Sequence, residues 1–230
     1  MAVIYNDEKI ESGGFMDINY DLNQVKRYLG MDEQPNEIDQ DIEKLYQRLK
    51  PLLDPKYYYR VFKFSLNPLK IENRIFKSKD MDKLLNTSDR VIILAVTLGG
   101  KIEQEIRRFN VANKFNSIVS DALLSSMVED YQEKIIDQLR GEYPGKYFTD
   151  AFAPGYGDLD INFQRDIFDL LQLEKRIGVN LTPTMLMVPR KSITCFIGIS
   201  DIAQGKVTGC DTCNMKETCQ LRKAGKSCAR

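Results

Sequence analysis

The chain has 230 residues, and its 33 basic residues balance its 33 acidic ones, so its formal net charge is zero. This balance argues against a generic binder of nucleic acids or membrane surfaces. No apolar run approaches the roughly 18 residues of a bilayer-spanning helix. The chain has no histidine, which excludes Ser-His-Asp and Cys-His catalysis and any His-ligated metal. The polar N-terminus lacks the pattern of a secretory signal, so we expect a cytoplasmic protein.

Four segments in the first half of the chain have clear periodic patterns. The segment between Asp21 and Gly30 predicts a short helix that Asp21 caps and Gly30 follows. Apolar residues at helical spacing predict a second helix that begins near Ile38 and ends near Pro51. Residues 57–66 alternate like a strand. Residues 90–98 (RVIILAVTL) form a nearly continuous apolar run, which predicts a central strand buried on both faces.

Helices are predicted to dominate from residue 102 to about residue 140. One covers residues 102–109, and a longer one carries an apolar stripe that we interpret as core. The stripe consists of Val111, Phe115, Ile118, Val119, Ala122, Leu123, Met127, Tyr131, Ile135, Ile136 and Leu139.

The last third of the domain mixes helix and strand. Residues 163–177 predict an amphipathic helix, and strands are expected near Leu186 and over residues 193–199. Cys195 lies in the last of these strands, and we predict that its thiol is buried and inert. Because helices and strands do not alternate regularly, the sequence predicts an α+β fold.

The composition changes near residue 203 and predicts a domain of residues 1–203 followed by a tail of residues 204–230. The tail holds six basic and two acidic residues, a net charge of +4, and few large apolar ones. Four of the five cysteines lie in it, at Cys210, Cys213, Cys219 and Cys228. In a reducing compartment this spacing predicts a metal-binding tail, with zinc and an iron–sulfur cluster both left open. A frayed tail with loosely reactive thiols is the remaining alternative.

Residues 154–158 (PGYGD) form the most distinctive local motif of the sequence. Gly155 and Gly157 permit backbone angles that other residues avoid and let a ligand approach the main chain. Between them, Tyr156 offers a ring for stacking and a hydroxyl for hydrogen bonding. Such a loop can cradle a small polar cofactor, although a plain turn is the simpler interpretation.

This loop and the segments after it resemble the activation domain of cobalamin-dependent methionine synthase, and above all its free-standing relatives. The matching segments are 154–158, 177–182 (IGVNLT), 187–189 (MVP), 191–192 (KS) and 198–200 (GIS). The resemblance covers about residues 18–201. It implies a twisted, largely antiparallel sheet with packed helices. It also implies a domain that binds S-adenosylmethionine (SAM) and caps a corrinoid domain while an electron and a methyl group rescue cob(II)alamin.

The resemblance also implies the residues that contact SAM. These are Pro154, Gly155, Tyr156 and Gly157 in the loop and Asp121 on the long helix. The family usually has an arginine, which pairs with the carboxylate of SAM, where this chain has Ala151. Lys146 and Lys191 are the candidate replacements for that arginine.

From these features we predict an accessory protein for a cobalamin-dependent methionine synthase, or a related corrinoid methyltransferase, that lacks its own activation domain. It would support SAM-dependent reductive remethylation of cobalamin carried by that partner, with flavodoxin or ferredoxin as an electron donor. No catalytic acid or base is predicted, because the chemistry belongs to the cofactors.

Two alternatives remain from the sequence. Ala151 suggests a corrinoid-docking redox module that has lost SAM binding. The basic tail alone suggests a zinc-stabilised nucleic-acid adaptor, which the balanced total charge disfavours.

Overall fold

The computed structural model describes residues 17–203, 217–218 and 220–223, and the backbone of residues 8–12. The α-helices are α1 (Leu22–Tyr28), α2 (Ile38–Leu49), α3 (Lys79–Leu84), α4 (Lys101–Ala112), α5 (Lys114–Glu142), α6 (Gln164–Leu171), α7 (Leu173–Ile177) and α8 (Gln220–Lys223). Short 3₁₀ helices cover Lys50–Leu52 and Ile161–Phe163. The strands are β1 (Glu8–Ser12), β2 (Lys56–Phe62), β3 (Phe64–Ser65), β4 (Leu69–Ile71), β5 (Arg74–Phe76), β6 (Ser88–Thr97), β7 (Tyr147–Phe148), β8 (Asn180–Leu181), β9 (Met187–Val188) and β10 (Ser192–Ser200).

A five-stranded sheet with the order β1-β2-β6-β10-β7 forms the centre of the domain. Each neighbouring pair in it is antiparallel. The apolar run at residues 90–98 lies in the middle strand, β6, with Val91 to Val96 at most 1% exposed. The predicted α+β class, the antiparallel sheet and its buried central strand are therefore confirmed.

The sheet is covered on both faces, because alternate residues of each strand point to opposite sides. In β6, Ile92, Leu94 and Val96 pack into one core with α1, α2, α4 and α5. Val91, Ile93 and Ala95 pack into a second core with α3, α6, α7 and the small three-stranded sheet β3-β4-β5. The domain therefore has three layers, and the long helix α5 lies on one side of the sheet only.

Cys195 belongs to the core of β10 and is 1% exposed. Its sulfur accepts a hydrogen bond from Gln132 Nε2 at 3.3 Å. Burial raises the pKa of this thiol to about 12, so almost no reactive thiolate is present near neutral pH. The prediction of a buried, inert thiol is confirmed.

The start of α5 corrects the predicted apolar stripe. Asn113 is extended (φ −156°) and its side chain accepts a hydrogen bond from Asn116 N–H, so the chain ends α4 and begins α5 there. Because of this break, residues before and after Asn113 do not lie on one continuous helical face. As a result Val111, Phe115 and Ile118 are 92%, 48% and 63% exposed, and their assignment to the core was wrong. From Val119 onward the stripe is buried as predicted.

The structure does not test the predicted cysteine-rich tail. Cys210, Cys213, Cys219 and Cys228 lie outside the described residues, so the metal-binding tail and the domain boundary at residue 203 stay predictions. Within the part of the chain that the structure describes, no helix has the length and apolarity required to span a bilayer.

Candidate functional site

The glycine–tyrosine loop is a closed turn that follows a bridge between Phe152 and Phe196. Gly155 N–H donates to the Leu159 carbonyl at 2.8 Å, and Tyr156 N–H donates to the Ala153 carbonyl at 3.0 Å. Both amides are thus used inside the loop. The Tyr156 side chain, 65% exposed, is therefore the group that this turn presents outward.

The loop is fixed to the N-terminus of α3 by two carboxylates. Asp158 accepts hydrogen bonds from the amides of Lys79 (2.8 Å) and Asp80 (3.2 Å) and from the Ser78 hydroxyl. In return, Asp158 N–H donates to Asp80 Oδ2 at 3.2 Å. Partial burial by itself raises the pKa of Asp158, but these hydrogen bonds outweigh it and leave the pKa lowered. Asp158 is therefore ionised near neutral pH, where it also complements the helix dipole.

A cavity of about 580 Å³ opens between α1, α4, α5 and the segment before β10. Its lining residues are Tyr28, Leu29, Ile106, Asn110, Ser117, Ile118, Asp121, Ala122, Ser125, Glu129 and Arg190. Tyr28 interacts electrostatically with Tyr156 of the glycine–tyrosine loop, which is not among the lining residues. A volume of this size lies within the usual range for small-molecule sites.

The α5 wall of the cavity carries Asp121, Ser125 and Glu129 at four-residue intervals. This spacing puts the three side chains on one helical face, about 6 Å apart along the axis. Lys191, 8% exposed, brings its ammonium to 2.9 Å from Asp121 Oδ1, from the Asp121 carbonyl and from Ser125 Oγ. Lys191 therefore neutralises Asp121 and joins α5 to the start of β10.

The far end of the same wall is acidic. Tyr28 donates its hydroxyl hydrogen bond to Glu129 Oε1 at 2.5 Å, and Gln24 Nε2 donates to Glu129 Oε2. Burial, followed by the hydrogen bond to Glu129, raises the pKa of Tyr28. Its phenol thus remains a donor across the physiological pH range.

Arg190 supplies the cationic part of the lining. Its Nε lies 3.6 Å from Glu103 Oε2, and its backbone N–H donates to Glu103 Oε1. This arrangement pairs the guanidinium with Glu103 on α4, and the Arg190 side chain as a whole is 43% exposed.

The comparisons with known proteins agree with this architecture. The family model described as the vitamin B12 dependent methionine synthase activation domain matches residues 78–207, more than half of the chain. The chain belongs to this family. Membership supports a role in the reactivation of cobalamin-dependent methionine synthase, as the sequence resemblance implied.

A solved structure shows that the fold is shared. The crystal structure of the MetH reactivation domain bound to AdoHcy is 17% identical in sequence and superposes with a TM-score of 0.67. The match covers 96% of this chain and 86% of that chain. No curated protein matches the sequence.

Of the residues predicted to contact SAM, Asp121 lines the cavity, and none of the loop residues is in its lining. Tyr156 interacts electrostatically with Tyr28, which does line the cavity. Pro154 is buried, Gly155 is exposed and Gly157 is buried. The residues predicted to contact SAM therefore do not all line this cavity.

Of the two lysines considered as replacements for the family arginine, Lys191 contacts residues that line the cavity, Asp121 and Ser125. Lys146 pairs with Asp201 at 2.9 Å and with Asp89 at 3.7 Å. Those partners are at the opposite end of β10, roughly 27 Å away at about 3.4 Å per residue. Ala151 is half-buried and packs against the first core, so its position contributes no charge.

Sequence analysis did not select Tyr28, Glu129 and Arg190. Two of them carried a usable signal. Glu129 follows Asp121 by two four-residue steps on the same helix, and Arg190 is the neighbour of Lys191. Tyr28 carried none, because nothing local indicates that α1 packs beside the middle of α5. Among the described residues, no group of three or more cysteines or carboxylates is arranged to hold a metal ion.

We expect Lys191→Met to lower the free energy of unfolding by about 2 kcal/mol. The change removes three hydrogen bonds from a buried ammonium, and loss of one partner of a buried ion pair costs roughly 3–5 kcal/mol. The expected loss is smaller because Asp121 is 55% exposed and can bind water instead. Denaturant titration measures this loss of unfolding free energy.

The matched control is Lys44→Met. It breaks a Lys–Asp pair at 3.4 Å in which the lysine is 73% exposed, and it should lower the free energy of unfolding by at most about 0.5 kcal/mol. Equal losses would contradict a structural role for Lys191.

Proposed function

We propose that this protein is an accessory reactivation protein that binds SAM in the cavity and presents it to a corrinoid carried by a separate polypeptide. The partner is a cobalamin-dependent methionine synthase, or a related corrinoid methyltransferase, without an activation domain of its own. The observation that carries this proposal is the cavity itself, whose lining includes Asp121, Glu129 and Tyr28.

The chemistry of the cavity suits SAM. SAM carries a carboxylate, two positive centres and an adenine ring. The lining offers the Arg190 guanidinium for the carboxylate and Glu129 for a positive centre. The rings of Tyr28 and Tyr156, which are 43% and 65% exposed, are available for stacking. The carboxylate, one positive centre and the adenine ring of the ligand therefore each have a counterpart.

The surface around the cavity suits a protein partner. Val111, Phe115 and Ile118, which we name the apolar rim, are exposed near the junction of α4 and α5, and Ile118 also lines the cavity. Exposed apolar clusters of this kind are typical of interaction sites. Because methyl transfer requires contact between the SAM methyl group and the corrinoid, the partner must cover the mouth of the cavity and hence this rim.

The cysteine-rich tail is the part of the proposal that concerns electron supply. Cys210, Cys213, Cys219 and Cys228 would hold either an iron–sulfur cluster or zinc. A brown protein after anaerobic purification, with a broad absorption band near about 400 nm, would support a cluster. A colourless protein with bound zinc would leave the tail a structural role and assign electron delivery to an external donor such as flavodoxin or ferredoxin.

The reactivation assay tests the proposal directly. The protein is mixed with a cobalamin-dependent methionine synthase whose own activation domain has been removed, together with SAM and a chemical reductant that supplies the electron. We expect the cob(II)alamin absorbance to fall and methylcobalamin to form at least ten times faster than without the protein, about 1.4 kcal/mol of barrier. An unchanged rate would overturn the activation role.

A second candidate function follows from Ala151. Without a charged residue at this position, the protein would dock on the corrinoid and pass electrons but bind no SAM. Calorimetry separates the two candidates. Heat of binding at micromolar to low-millimolar SAM supports the first, and its absence over that range supports the second.

A further inference from the structure

The acidic residues of α4 and of the first turns of α5 are all paired with bases of the same chain. Glu103 pairs with Arg190, Glu105 pairs with Arg48 and Arg108, and Asp121 pairs with Lys191. These three are the only acids between residues 101 and 121. No uncompensated negative charge is therefore left in this stretch.

The basic residues of the same stretch are in excess. They are Lys101, Arg107, Arg108 and Lys114. Arg108 pairs with Glu105 at 3.2 Å. Among the described residues, no carboxylate pairs with the other three, and all three are exposed. The stretch thus presents three uncompensated positive charges to solvent.

Two of these cations lie beside the apolar rim. Arg107 precedes Val111 by four residues on α4, and Lys114 precedes Ile118 by four residues on α5. Side chains at this spacing are neighbours on the helix surface, with Cβ atoms about 6 Å apart. The exposed apolar side chains of the rim are therefore flanked by positive charge on both helices.

We propose that the apolar rim together with Arg107 and Lys114 is a docking surface for a protein whose matching face is apolar at its centre and acidic at its edge. This inference rests on the proposed function for the identity of that protein, which is the corrinoid-bearing partner. Opposite charges at the edge of an interface speed the encounter of the two proteins, and the apolar centre supplies the area that is buried once they have met.

The same charges argue against a second copy of this chain as the occupant. A symmetric dimer places the same patch of both copies in one interface. Arg107 and Lys114 of the two copies would then meet in a small contact area. Because every acid of the stretch is already paired within its own chain, nothing there would offset their repulsion.

Binding rates at two salt concentrations test the inference. The probe is the methionine synthase of the reactivation assay, loaded with cob(II)alamin and immobilised for surface plasmon resonance. We expect the association rate constant of the unmodified protein to fall at least about tenfold between about 20 mM and about 500 mM NaCl, because salt screens the attraction. The double variant Arg107→Glu with Lys114→Glu should associate at least about 30 times more slowly at the lower salt concentration and within about threefold of the unmodified protein at the higher one.

The matched control is the double variant Lys70→Glu with Lys77→Glu. It changes the net charge by the same amount at two exposed positions in and beside the small sheet β3-β4-β5, on the other side of the central sheet. We expect its association rate constant to stay within about threefold of that of the unmodified protein. The neutral double variant Arg107→Gln with Lys114→Gln keeps the polar character of both side chains, and its association rate constant should fall between those of the unmodified and the reversed protein.

Each outcome separates the inference from the proposed function, because methylcobalamin formation is measured independently of binding. Equal losses in the two charge-reversed variants, or an association rate that salt does not change, would overturn the inference and leave the proposed function intact. A dimer in sedimentation velocity that salt strengthens and Phe115→Asp dissociates would assign the rim to a second copy and also overturn it. Salt-dependent binding without methylcobalamin formation would overturn the proposed function and support the docking surface. If the two proteins do not bind at all, both fall.

Discussion

Replacing Phe115 by aspartate is expected to slow reactivation of the corrinoid partner at least about 100-fold while SAM binding stays unchanged. Phe115 belongs to the apolar rim and is 48% exposed, but it does not line the cavity. In the proposed complex the partner covers this position. A carboxylate buried there without a partner costs several kcal/mol, which corresponds to two or more orders of magnitude in affinity. The rate of methylcobalamin formation against partner concentration measures this loss, and calorimetry reports on SAM.

The matched control for this variant is Ile75→Asp. Ile75 is 49% exposed, so the apolar area removed from the surface is similar. It lies in β5, in the small sheet on the other side of the central sheet. We expect full reactivation activity from Ile75→Asp. If both variants are impaired to the same degree, or if Phe115→Asp is as active as the unmodified protein, the apolar rim is not the docking surface.

Replacing Gly157 by alanine is expected to lower the free energy of unfolding by about 3 kcal/mol and to weaken SAM binding. Gly157 has φ +50°, where an L-residue is strained by about 1–2 kcal/mol. An added Cβ would also lie 2.4 Å from Asp80 Oδ2 and 3.0 Å from Phe152 Cζ. Asp80 must then leave the Asp158 amide, so the anchor between the loop and α3 weakens. Denaturant midpoints and SAM calorimetry measure the two effects.

Gly178→Ala separates backbone strain from the close contacts at Gly157. Gly178 has φ +70° and follows α7, but an added Cβ there has no atom within 4 Å. Only the strain remains, and we expect a loss of about 1 kcal/mol with unchanged SAM binding. Equal losses of stability in the two variants would show that the contacts with Asp80 and Phe152 do not hold the loop in place.

Local sequence patterns predicted the elements that are fixed by their own residues. Asp21 caps α1 as predicted, with its side chain accepting from Asn23 N–H and Gln24 N–H, and Gly30 follows the helix with φ +69°. The run at residues 90–98 became the central strand because a continuous apolar segment of that length is stable only when both faces are covered.

The break within the predicted helix 163–177 was not foreseen. The segment 163–177 is two helices, α6 and α7, separated by Gln172 with φ +52°. Two helices were predicted within residues 102–140, but Val111 was assigned to the longer one, whereas α4 ends at Ala112 and α5 begins after Asn113. At such positions a side-chain cap or a turn of a single residue competes with one more turn of helix. The outcome depends on which arrangement packs better against the sheet, and no local pattern contains that information.

Local patterns were enough to predict the family, the α+β class, the central strand and the loop that presents Tyr156, because each depends on residues close together in the chain. No such pattern predicted that α1, α5 and the segment before β10 meet in the folded domain. That meeting creates the cavity, pairs Lys191 with Asp121 and sets Tyr28 against Glu129. These partners are 70 and 101 residues apart, and contacts over such separations are fixed by burial of the helices against one sheet, which no local pattern encodes.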